Sequence, residues 1–218
     1  MKFINDIEIE QSIEAIEYKF SIEKMERRAF DIHMRRKKEL IWFLSHNHIY
    51  TMGTSSKDNE IKSKKNVPFV KTNRGGKITY HGPGQRIAYL LINLENKKKD
   101  IRKFVKLIED SAIKLLREFD IEAATFPDRI GIWVTKNKKI KLEKEEKIGA
   151  IGLRVKKWIT YHGLSFNLKT NLDYYKNIDA CGLSEYSNTS MQALGVDLSD
   201  KVFDKLYLRI FLENLKKL

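Results

Sequence analysis

The sequence predicts an α+β domain built around a mixed, largely antiparallel sheet flanked by helices. Three observations lead to this prediction. The chain has 218 residues, the length of one ordinary domain or two small ones. Its predicted elements follow the order helix, strands, helix, strands, helix, without the strand–helix alternation of a doubly wound parallel sheet. No internal repeat or low-complexity linker divides the chain.

The N-terminal third begins with a charged stretch, residues 7–36, in which apolar residues recur every three or four positions. This spacing predicts one long amphipathic helix or two short ones. The apolar positions are Ile9, Ile13, Ile16, Phe20, Met25 and Phe30. Residues 39–45 form a short apolar run that predicts a buried strand. Residues 54–67 are polar and lysine-rich without periodicity, so we expect a loop there.

The remaining two thirds of the chain contain both strand-like and helical patterns. Residues 86–94 predict a strand, residues 101–119 have helical apolar spacing, and Pro127 interrupts the chain. Three strand-like stretches follow, at residues 131–135, 147–155 and 158–168. A charged linker, 136–146, lies between the first two, and residues 198–217 predict a final amphipathic helix. We expect this last fifth of the chain to pack with the rest and not to form an independent lobe.

The composition is that of a globular protein, with 42% hydrophobic and 33% charged residues. Apolar runs such as 87–92 are far shorter than the roughly 20 residues that span a bilayer. The N-terminus lacks the pattern of a signal peptide, so we expect a cytoplasmic protein without a membrane partner. The single cysteine, Cys181, excludes an intramolecular disulfide and a cysteine-rich zinc site. The five histidines show no zinc-ligand spacing, so no metal is expected.

The charge balance is strongly basic, because 42 Lys and Arg residues outnumber 29 Asp and Glu residues and give a net charge of +13. Such a charge indicates an acidic partner, which could be a nucleic acid, an anionic membrane surface or an acidic protein. A lysine-rich composition can also reflect coding bias, with the lysines only solvating the surface. Net charge alone does not decide between these interpretations.

A glycine-rich segment at residues 74–85, RGGKITYHGPGQ, is the first candidate site. It contains four of the eleven glycines, and glycine permits close approach of the backbone to a ligand. It matches neither the phosphate-binding loop nor the dinucleotide fingerprint. Its polar side chains suit a site lined by hydrogen-bond donors, whereas a simple hairpin with glycine turns is the alternative. These side chains are Arg74, Thr79, Tyr80, His81 and Gln85.

Four residues, including His81 of the glycine-rich segment, have side chains that could take part in catalysis. Cys181 is followed by a glycine, and a nucleophilic cysteine needs a nearby cation or base to stabilise its thiolate. Lys147 enters a glycine-rich apolar strand, where partial desolvation makes its charge state tunable. His81 and His162 each lie in a Tyr-His-Gly triplet, which suggests that two strands deliver imidazoles to one place. Spacing alone does not choose the partner of the cysteine, and a lone cysteine is more often an inert core residue.

The glycine-rich segment resembles the signature of the octanoyltransferases, the lipoyl(octanoyl) transferases that begin lipoyl-cofactor assembly. Three other blocks resemble the same family in the same order. They are LSHNHIYTMG at residues 44–53, KIGAIGLRVKKWITYHGLSFNL at 147–168 and IDACGL at 178–183. The resemblance extends over roughly residues 40–190, and four ordered blocks make it specific.

The resemblance implies the fold of lipoate and biotin ligases, with residues 1–218 as a single catalytic domain. It implies transfer of octanoate from octanoyl-acyl carrier protein to one lysine of a lipoyl domain. The acceptors would be the lipoyl domains of 2-oxoacid dehydrogenase complexes and the glycine cleavage H protein. No cofactor and no ATP are required, because the thioester is already activated. We expect a monomer whose basic surface serves acidic protein partners instead of nucleic acid.

By motif position, the resemblance makes Cys181 the nucleophile and Lys147 its partner. It places the following residues around the acyl chain and its thioester: Arg74, Gly75, Gly76, Lys77, Ile78, Thr79, Tyr80, His81, Ala150, Ile151, Gly152, His162, Gly163, Leu164 and Ser165. Some residues depart from the family pattern. Ala180 stands where the family has proline, Leu183 where it has isoleucine, and Asn47 and His48 replace a proline pair. None of these departures removes a reactive group.

Two other functions compete with this interpretation. An ATP-dependent lipoate–protein ligase shares the fold but does not require the cysteine, so Cys181 within its motif argues against that activity. A basic nucleic-acid-binding module is suggested by the net charge of +13. It would not explain four ordered motif blocks, and neither a recognition helix nor an aromatic RNA-binding motif is evident.

Overall fold

An eight-stranded sheet forms the centre of the fold in the computed structural model. The structure describes residues 2–4, 6–63, 67–95, 97–127, 129–179 and 186–218. The described strands are β1 (Lys2–Ile4), β2 (Ile7–Gln11), β3 (Leu40–Leu44), β4 (Ile49–Met52), β5 (Phe69–Lys71), β6 (Thr79–His81), β7 (Gln85–Leu91), β8 (Ile121–Phe126), β9 (Arg129–Asn137), β10 (Glu146–Lys156) and β11 (Ile159–Asn167). The large sheet has the order β1-β2-β3-β7-β11-β10-β9-β8, and β5-β4-β6 form a second sheet. Only β2–β3 and β4–β5 are parallel among the described pairs, so the predicted mixed, largely antiparallel sheet is confirmed.

Three α-helices cover the two faces of the large sheet: α1 (Tyr18–His33), α2 (Ile101–Arg117) and α3 (Asp200–Leu215). A side-chain oxygen caps each N-terminus, for example Asp100, which accepts from the Lys103 amide at 3.0 Å. Helix α1 packs on one face, whereas α2 and α3 pack on the other. The central strand β3 is apolar throughout because Trp42 faces α1 while Phe43 faces the other core.

The C-terminal helix is tied to the sheet, as its predicted amphipathic pattern requires. Phe203 and Phe211 of α3 are fully buried in the larger core. The Arg86 guanidinium of β7 donates to both carboxylate oxygens of Asp204, at 2.8 and 2.7 Å, in a buried bidentate pair. The last fifth of the chain therefore belongs to the same packed unit as the sheet. No helix among the described residues is long and apolar enough to cross a membrane.

The helix predicted over residues 7–36 is wrong in its first part. Ile7 and Ile9 alternate with charged residues and form β2, which pairs with β3 and buries both isoleucines. Only Tyr18–His33 is helical, and its buried face contains Tyr18, Ser21, Met25, Arg28, Ala29 and Ile32. Of the expected apolar positions, Ile13 is 94% exposed, and Phe20 and Phe30 are exposed as well. The chain thus begins with strands, not with a helix.

Strands β4 and β5 of the second sheet lie where no strands are predicted from sequence, whereas the triplet that contains His81 suggests a strand where β6 lies. Strands β4, β5 and β6 have only three or four residues each. Their sheet packs on the 3-10 helix Leu172–Asn177 through a small aromatic core. The other predicted strands and both later helices are present, and β8 is an additional edge strand beside α2.

Candidate active site

A cavity of about 170 Å³ lies on the face of the large sheet that carries α1. Its size compares with the roughly 150 Å³ apolar cavity that binds benzene in an engineered protein. The walls come from α1, β6, β7, β9, β10, β11 and the segment before β6. Fourteen of the seventeen residues predicted from sequence line it: Arg74, Gly76, Lys77, Ile78, Thr79, His81, Lys147, Ala150, Ile151, Gly152, His162, Gly163, Leu164 and Ser165.

Two of the predicted substrate-binding residues do not line this cavity. Tyr80 lies between Thr79 and His81 on β6, so the strand alternation turns it to the opposite side. There its hydroxyl lies 2.6 Å from His48 Nδ1, and its ring stacks on Tyr174. Gly75 instead donates its amide to the Leu153 carbonyl at 2.9 Å, which ties the glycine-rich segment to β10.

Lys147 is the most buried lysine of the cavity wall, with 5% of its surface exposed. A register shift between Lys147 and Gly149 sets its position at the start of β10. Its ammonium lies 5.6 Å from the centre of the Trp133 ring, a favourable cation–π distance. The prediction that an apolar strand partly desolvates this lysine therefore agrees with the structure.

Cys181 lies outside the described residues, but the chain on both sides of residues 180–185 is described. Downstream, the Ser187 backbone carbonyl accepts a hydrogen bond from the Lys147 amide at 2.9 Å, and the Thr189 amide donates to the Lys147 carbonyl at 2.8 Å. Upstream, Tyr175 borders a small pocket that Lys147 also lines. The downstream flank of the cysteine segment therefore pairs with Lys147, and Tyr175 on the upstream side lines a pocket together with it.

Gly131 on β9 makes room for this lysine side chain. A Cβ atom at position 131 would lie 2.4 Å from Lys147 Cε and 3.0 Å from Nζ. Gly131 also has a φ of +138°, which L-residues with side chains rarely adopt. The absence of a side chain at Gly131 thus leaves the space that the end of the Lys147 side chain occupies, and a Cβ there would also lie 2.8 Å from the Gly149 carbonyl oxygen.

Gly131→Ala is expected to displace the Lys147 ammonium and to lower acyl transfer by about 10²-fold, as misplacement of a catalytic group by about 1 Å can do. A transfer assay on purified variant checks this, with circular dichroism as the test of folding. Gly195→Ala is the matched control, because Gly195 also has positive φ but only Ile140 lies within 4 Å of the added Cβ. Equal activity of the two variants would contradict the expectation.

His81 is held in one orientation by Gln85, four residues further along the chain. The Gln85 amide nitrogen donates to the Tyr80 carbonyl at 3.1 Å and to Asn167 Oδ1 at 3.0 Å, so its oxygen faces His81 Nδ1 at 2.7 Å. The neutral imidazole therefore carries its proton on Nδ1 and a lone pair on Nε2. Asn167 in turn donates to the Thr189 carbonyl at 2.9 Å. This network links His81 to the segment that follows the cysteine.

The two Tyr-His-Gly triplets do bring His81 and His162 to the same cavity, and His46 packs against His81. Burial is the main cause that lowers the pKa of His46 to about 4 and of His162 to about 3. The Arg74 guanidinium further lowers the pKa of His162. Burial likewise holds the pKa of His81 well below its usual value. All three imidazoles are neutral at pH 7.

These histidines should make the fold acid-sensitive. Because the folded-state pKa lies below the unfolded value near 6.5, the unfolded chain binds more protons as pH falls. The unfolding free energy therefore decreases as pH falls below about 6.5, by about 2 kcal/mol per buried histidine at pH 5. His162→Asn, in which asparagine tolerates the local φ of +61°, is expected to lose about 2 kcal/mol less between pH 7 and pH 5. Urea unfolding at both pH values checks this, and equal losses in both proteins would contradict it.

Sequence reasoning missed five residues that line the cavity: Tyr18, Ile87, Tyr89, Arg129 and Ile130. Arg129 matters most, because its guanidinium lies 3.8 Å from the Phe126 ring and 4.3 Å from the Tyr186 ring. Tyr186 directly follows residues 180–185, so Arg129 supports that end of the cysteine segment. An arginine two residues after Pro127 carries no motif that would single it out.

The described lining of the cavity contains four cationic side chains and no carboxylate. The cations are Arg74, Lys77, Arg129 and Lys147. The potential in the cavity therefore favours an anion such as a thiolate or an oxyanion. Across the described part of the chain, no group of three or more His, Cys, Asp or Glu residues could hold a metal ion.

The fold of this chain is that of solved lipoate protein ligases. A bipartite lipoate protein ligase from Thermoplasma acidophilum has the same fold, with a TM-score of 0.65 at 14% identity over 97% of this chain and 84% of that one. Residues 17–207 match the lipoyl protein ligase A/B catalytic domain. The chain belongs to this family.

Curated relatives show which members of this family the chain is similar to. The octanoyltransferase of Ehrlichia chaffeensis is 42% identical over 199 residues, which cover 90% of this chain and 91% of the relative. The octanoyltransferase of Parvibaculum lavamentivorans is 42% identical over 180 residues, which cover 83% and 80%. These relatives confirm the family resemblance derived from the sequence blocks and the prediction of an acyltransferase enzyme.

Proposed function

We propose that the protein transfers an octanoyl group from octanoyl-acyl carrier protein to a lysine of lipoyl domains, through a thioester on Cys181. The observation that carries this proposal is the buried Lys147 ammonium at the wall of the cavity, with the chain segment that follows the cysteine hydrogen-bonded to the Lys147 backbone. The octanoyltransferase names of the relatives support octanoate as the transferred group.

In the first half of the reaction, the Cys181 thiolate attacks the carbonyl carbon of the donor thioester. The bond between that carbon and the pantetheine sulfur breaks, and the new thioester on Cys181 forms. The departing thiolate takes a proton from the Lys147 ammonium and leaves as the free carrier thiol. The cationic lining of the cavity stabilises the thiolate beforehand and the oxyanion of the tetrahedral intermediate.

In the second half, the neutral amine of the acceptor lysine attacks the thioester carbon. The carbon–sulfur bond breaks, the amide forms, and Cys181 returns as a thiolate. Lys147, left neutral by the first half, accepts the proton of the attacking amine and becomes an ammonium again. The cycle thus closes without ATP, because the donor thioester supplies the free energy.

Several finer features belong to the same proposal. Residues 1–218 form one catalytic domain that works as a cytoplasmic monomer without a cofactor. The acceptors are lipoyl domains of 2-oxoacid dehydrogenase complexes and the glycine cleavage H protein. The net charge of +13 favours acidic protein partners, since charge complementarity steers association.

One assay tests the proposed function. The enzyme is incubated with octanoyl-acyl carrier protein and an apo lipoyl domain, without ATP, and the intact proteins are weighed. Addition of one octanoyl group to the lipoyl domain is the expected result. Modification that appears only with free octanoate and ATP would identify a ligase and would overturn the proposal.

A further inference from the structure

The active-site cavity opens on the side of strand β9. Ile130, which lines the cavity there, is 60% exposed. Its neighbour Gly131 lies against the end of the Lys147 side chain. A carrier protein is far too large for a cavity of about 170 Å³, so its arm has to reach Lys147 from this open side. The acyl tail then points toward the opposite end.

That opposite end of the cavity is closed. Tyr18 of α1, Tyr89 of β7 and His162 of β11 form this closed end, and each is at most 4% exposed. In the register of the sheet, Tyr89 lies level with Gly152 of β10, which is five residues beyond Lys147 and two strands across from β7. The closed end therefore lies away from Lys147, where the thioester reacts.

The wall between Lys147 and the closed end has apolar side chains. Ile87 of β7 and Ala150 of β10 lie at the same register level, because both pair with Ser165 of β11. This level is between those of Lys147 and Tyr89, and both apolar residues line the cavity. Burial of methylene groups in such surroundings is favourable, so this stretch suits an alkyl tail.

The closed end itself is polar. His162 Nε2 and Tyr18 Oη are buried, and no described residue lies in hydrogen-bonding geometry with either atom. The Tyr89 hydroxyl cannot donate to them, because its proton is engaged by His46. The Nδ1 atom of His46 lies 2.7 Å from the Ile16 carbonyl and carries a proton, so its Nε2 accepts from the Tyr89 hydroxyl, also at 2.7 Å. Buried polar atoms are nearly always hydrogen-bonded to protein or to ordered water.

We propose that His162 and Tyr18 hold one ordered water at the closed end, and that this water limits the length of the acyl chain that the enzyme transfers. The inference rests on the proposed function and adds how the enzyme selects its acyl group. Two polar partners suffice for a buried water, and the Tyr89 oxygen keeps lone pairs that can accept a third bond. An octanoyl tail leaves the water in place. A longer tail has to displace it and leaves two buried polar atoms without a partner, which is unfavourable.

A series of acyl-pantetheines of increasing length tests the proposal, with an apo lipoyl domain as the acceptor. These neutral donors do not depend on docking of the carrier protein. With the parent enzyme, kcat/KM for dodecanoyl-pantetheine should be at least about tenfold lower than for octanoyl-pantetheine. Tyr18→Phe removes one of the two polar atoms, so the ratio of dodecanoyl to octanoyl transfer should rise at least about fivefold.

Tyr207→Phe is the matched control for this substitution. The Tyr207 hydroxyl is also buried without a described partner, but Tyr207 lies on α3, in the core on the opposite face of the sheet. Its ratio of dodecanoyl to octanoyl transfer should equal that of the parent. A ratio in Tyr18→Phe that matches the parent, or an equal shift in both variants, would overturn the proposal.

A crystal structure of the parent protein gives a second test. An ordered water within about 3.2 Å of both His162 Nε2 and Tyr18 Oη is expected, and a closed end without it would overturn the proposal. If the parent transfers no acyl group from any donor, the proposed function fails. Calorimetric binding of free octanoate and dodecanoate then still tests the length limit. The dodecanoate-to-octanoate affinity ratio should be higher in Tyr18→Phe than in the parent, and equal ratios would contradict the limit.

Discussion

Replacing Cys181 with serine is expected to lower octanoyl transfer by a factor on the order of 10⁴ or more, in line with the loss of a nucleophile in other enzymes. A serine hydroxyl is not ionised at neutral pH, and the cationic cavity stabilises a thiolate and not a neutral alcohol. The fold should be unaffected, because serine differs from cysteine by one atom. The effect is therefore expected in the chemistry and not in the amount of folded protein.

The measurement is mass spectrometry of the enzyme mixed with octanoyl-acyl carrier protein alone. The parent protein should gain one octanoyl group that hydroxylamine removes, and Cys181→Ala should gain none. Carrier-protein binding by both variants serves as the control for a folded surface. If Cys181→Ser transfers octanoate at nearly the parent rate, the covalent mechanism is wrong.

The fold could be predicted from sequence where a regular period extends over many residues. Helices α2 and α3 and strands β10 and β11 have this property, and their bounds lie within a few residues of those predicted. The helix predicted over residues 7–36 was wrong in its first part, because Ile9, Ile13 and Ile16 fit a helical spacing by coincidence. Its real helix buries Ser21 and Arg28 and leaves Phe20 exposed. Polar residues on a buried face cannot be recognised from apolar spacing alone.

The short strands β4 and β5 could not be predicted for a different reason, and only the triplet that contains His81 suggested the equally short β6. A run of three or four residues does not establish a period, and these strands exist because distant segments pair. Tyr50, for instance, pairs across β4 with both Phe69 and Tyr80. The same sheet places His81 at the cavity and Tyr80 away from it, which the motif by itself does not reveal.

At the site, motif blocks pointed to the residues proposed to react, but the structure supplies what surrounds Lys147. Lys147 is singled out by its entry into an apolar strand, whereas its pairing with Ser187 and Thr189 is long-range. Arg129 and Tyr18 had no distinguishing sequence pattern, since one begins a strand after a turn and the other lies in a polar stretch. Residues that act by position alone are found only once the chain is folded.

Removing the positive charge at Lys147 is expected to shift alkylation of Cys181 to higher pH by about one to three pH units, the usual effect of a cation within about 4–6 Å of an acid. The sign follows from the charge: an ammonium favours the thiolate, so its loss makes the thiol harder to ionise. Lys147→Met retains an unbranched side chain of similar length and removes only the charged end. Octanoyl transfer at neutral pH should fall at least about tenfold, in step with the thiolate fraction.

The matched control is Lys77→Met, which removes another cation of the cavity wall that is already paired with Glu60 at 3.4 Å. Its alkylation profile should coincide with that of the parent. An unchanged profile for Lys147→Met between about pH 5 and pH 9 would assign the activating charge elsewhere. His81 and His162 could not supply it, because burial lowers the pKa of both imidazoles and keeps them neutral. Of the two arginines that line the same cavity, Arg74 and Arg129, Arg129 would then be the first candidate, since its guanidinium packs on Tyr186 beside the cysteine segment.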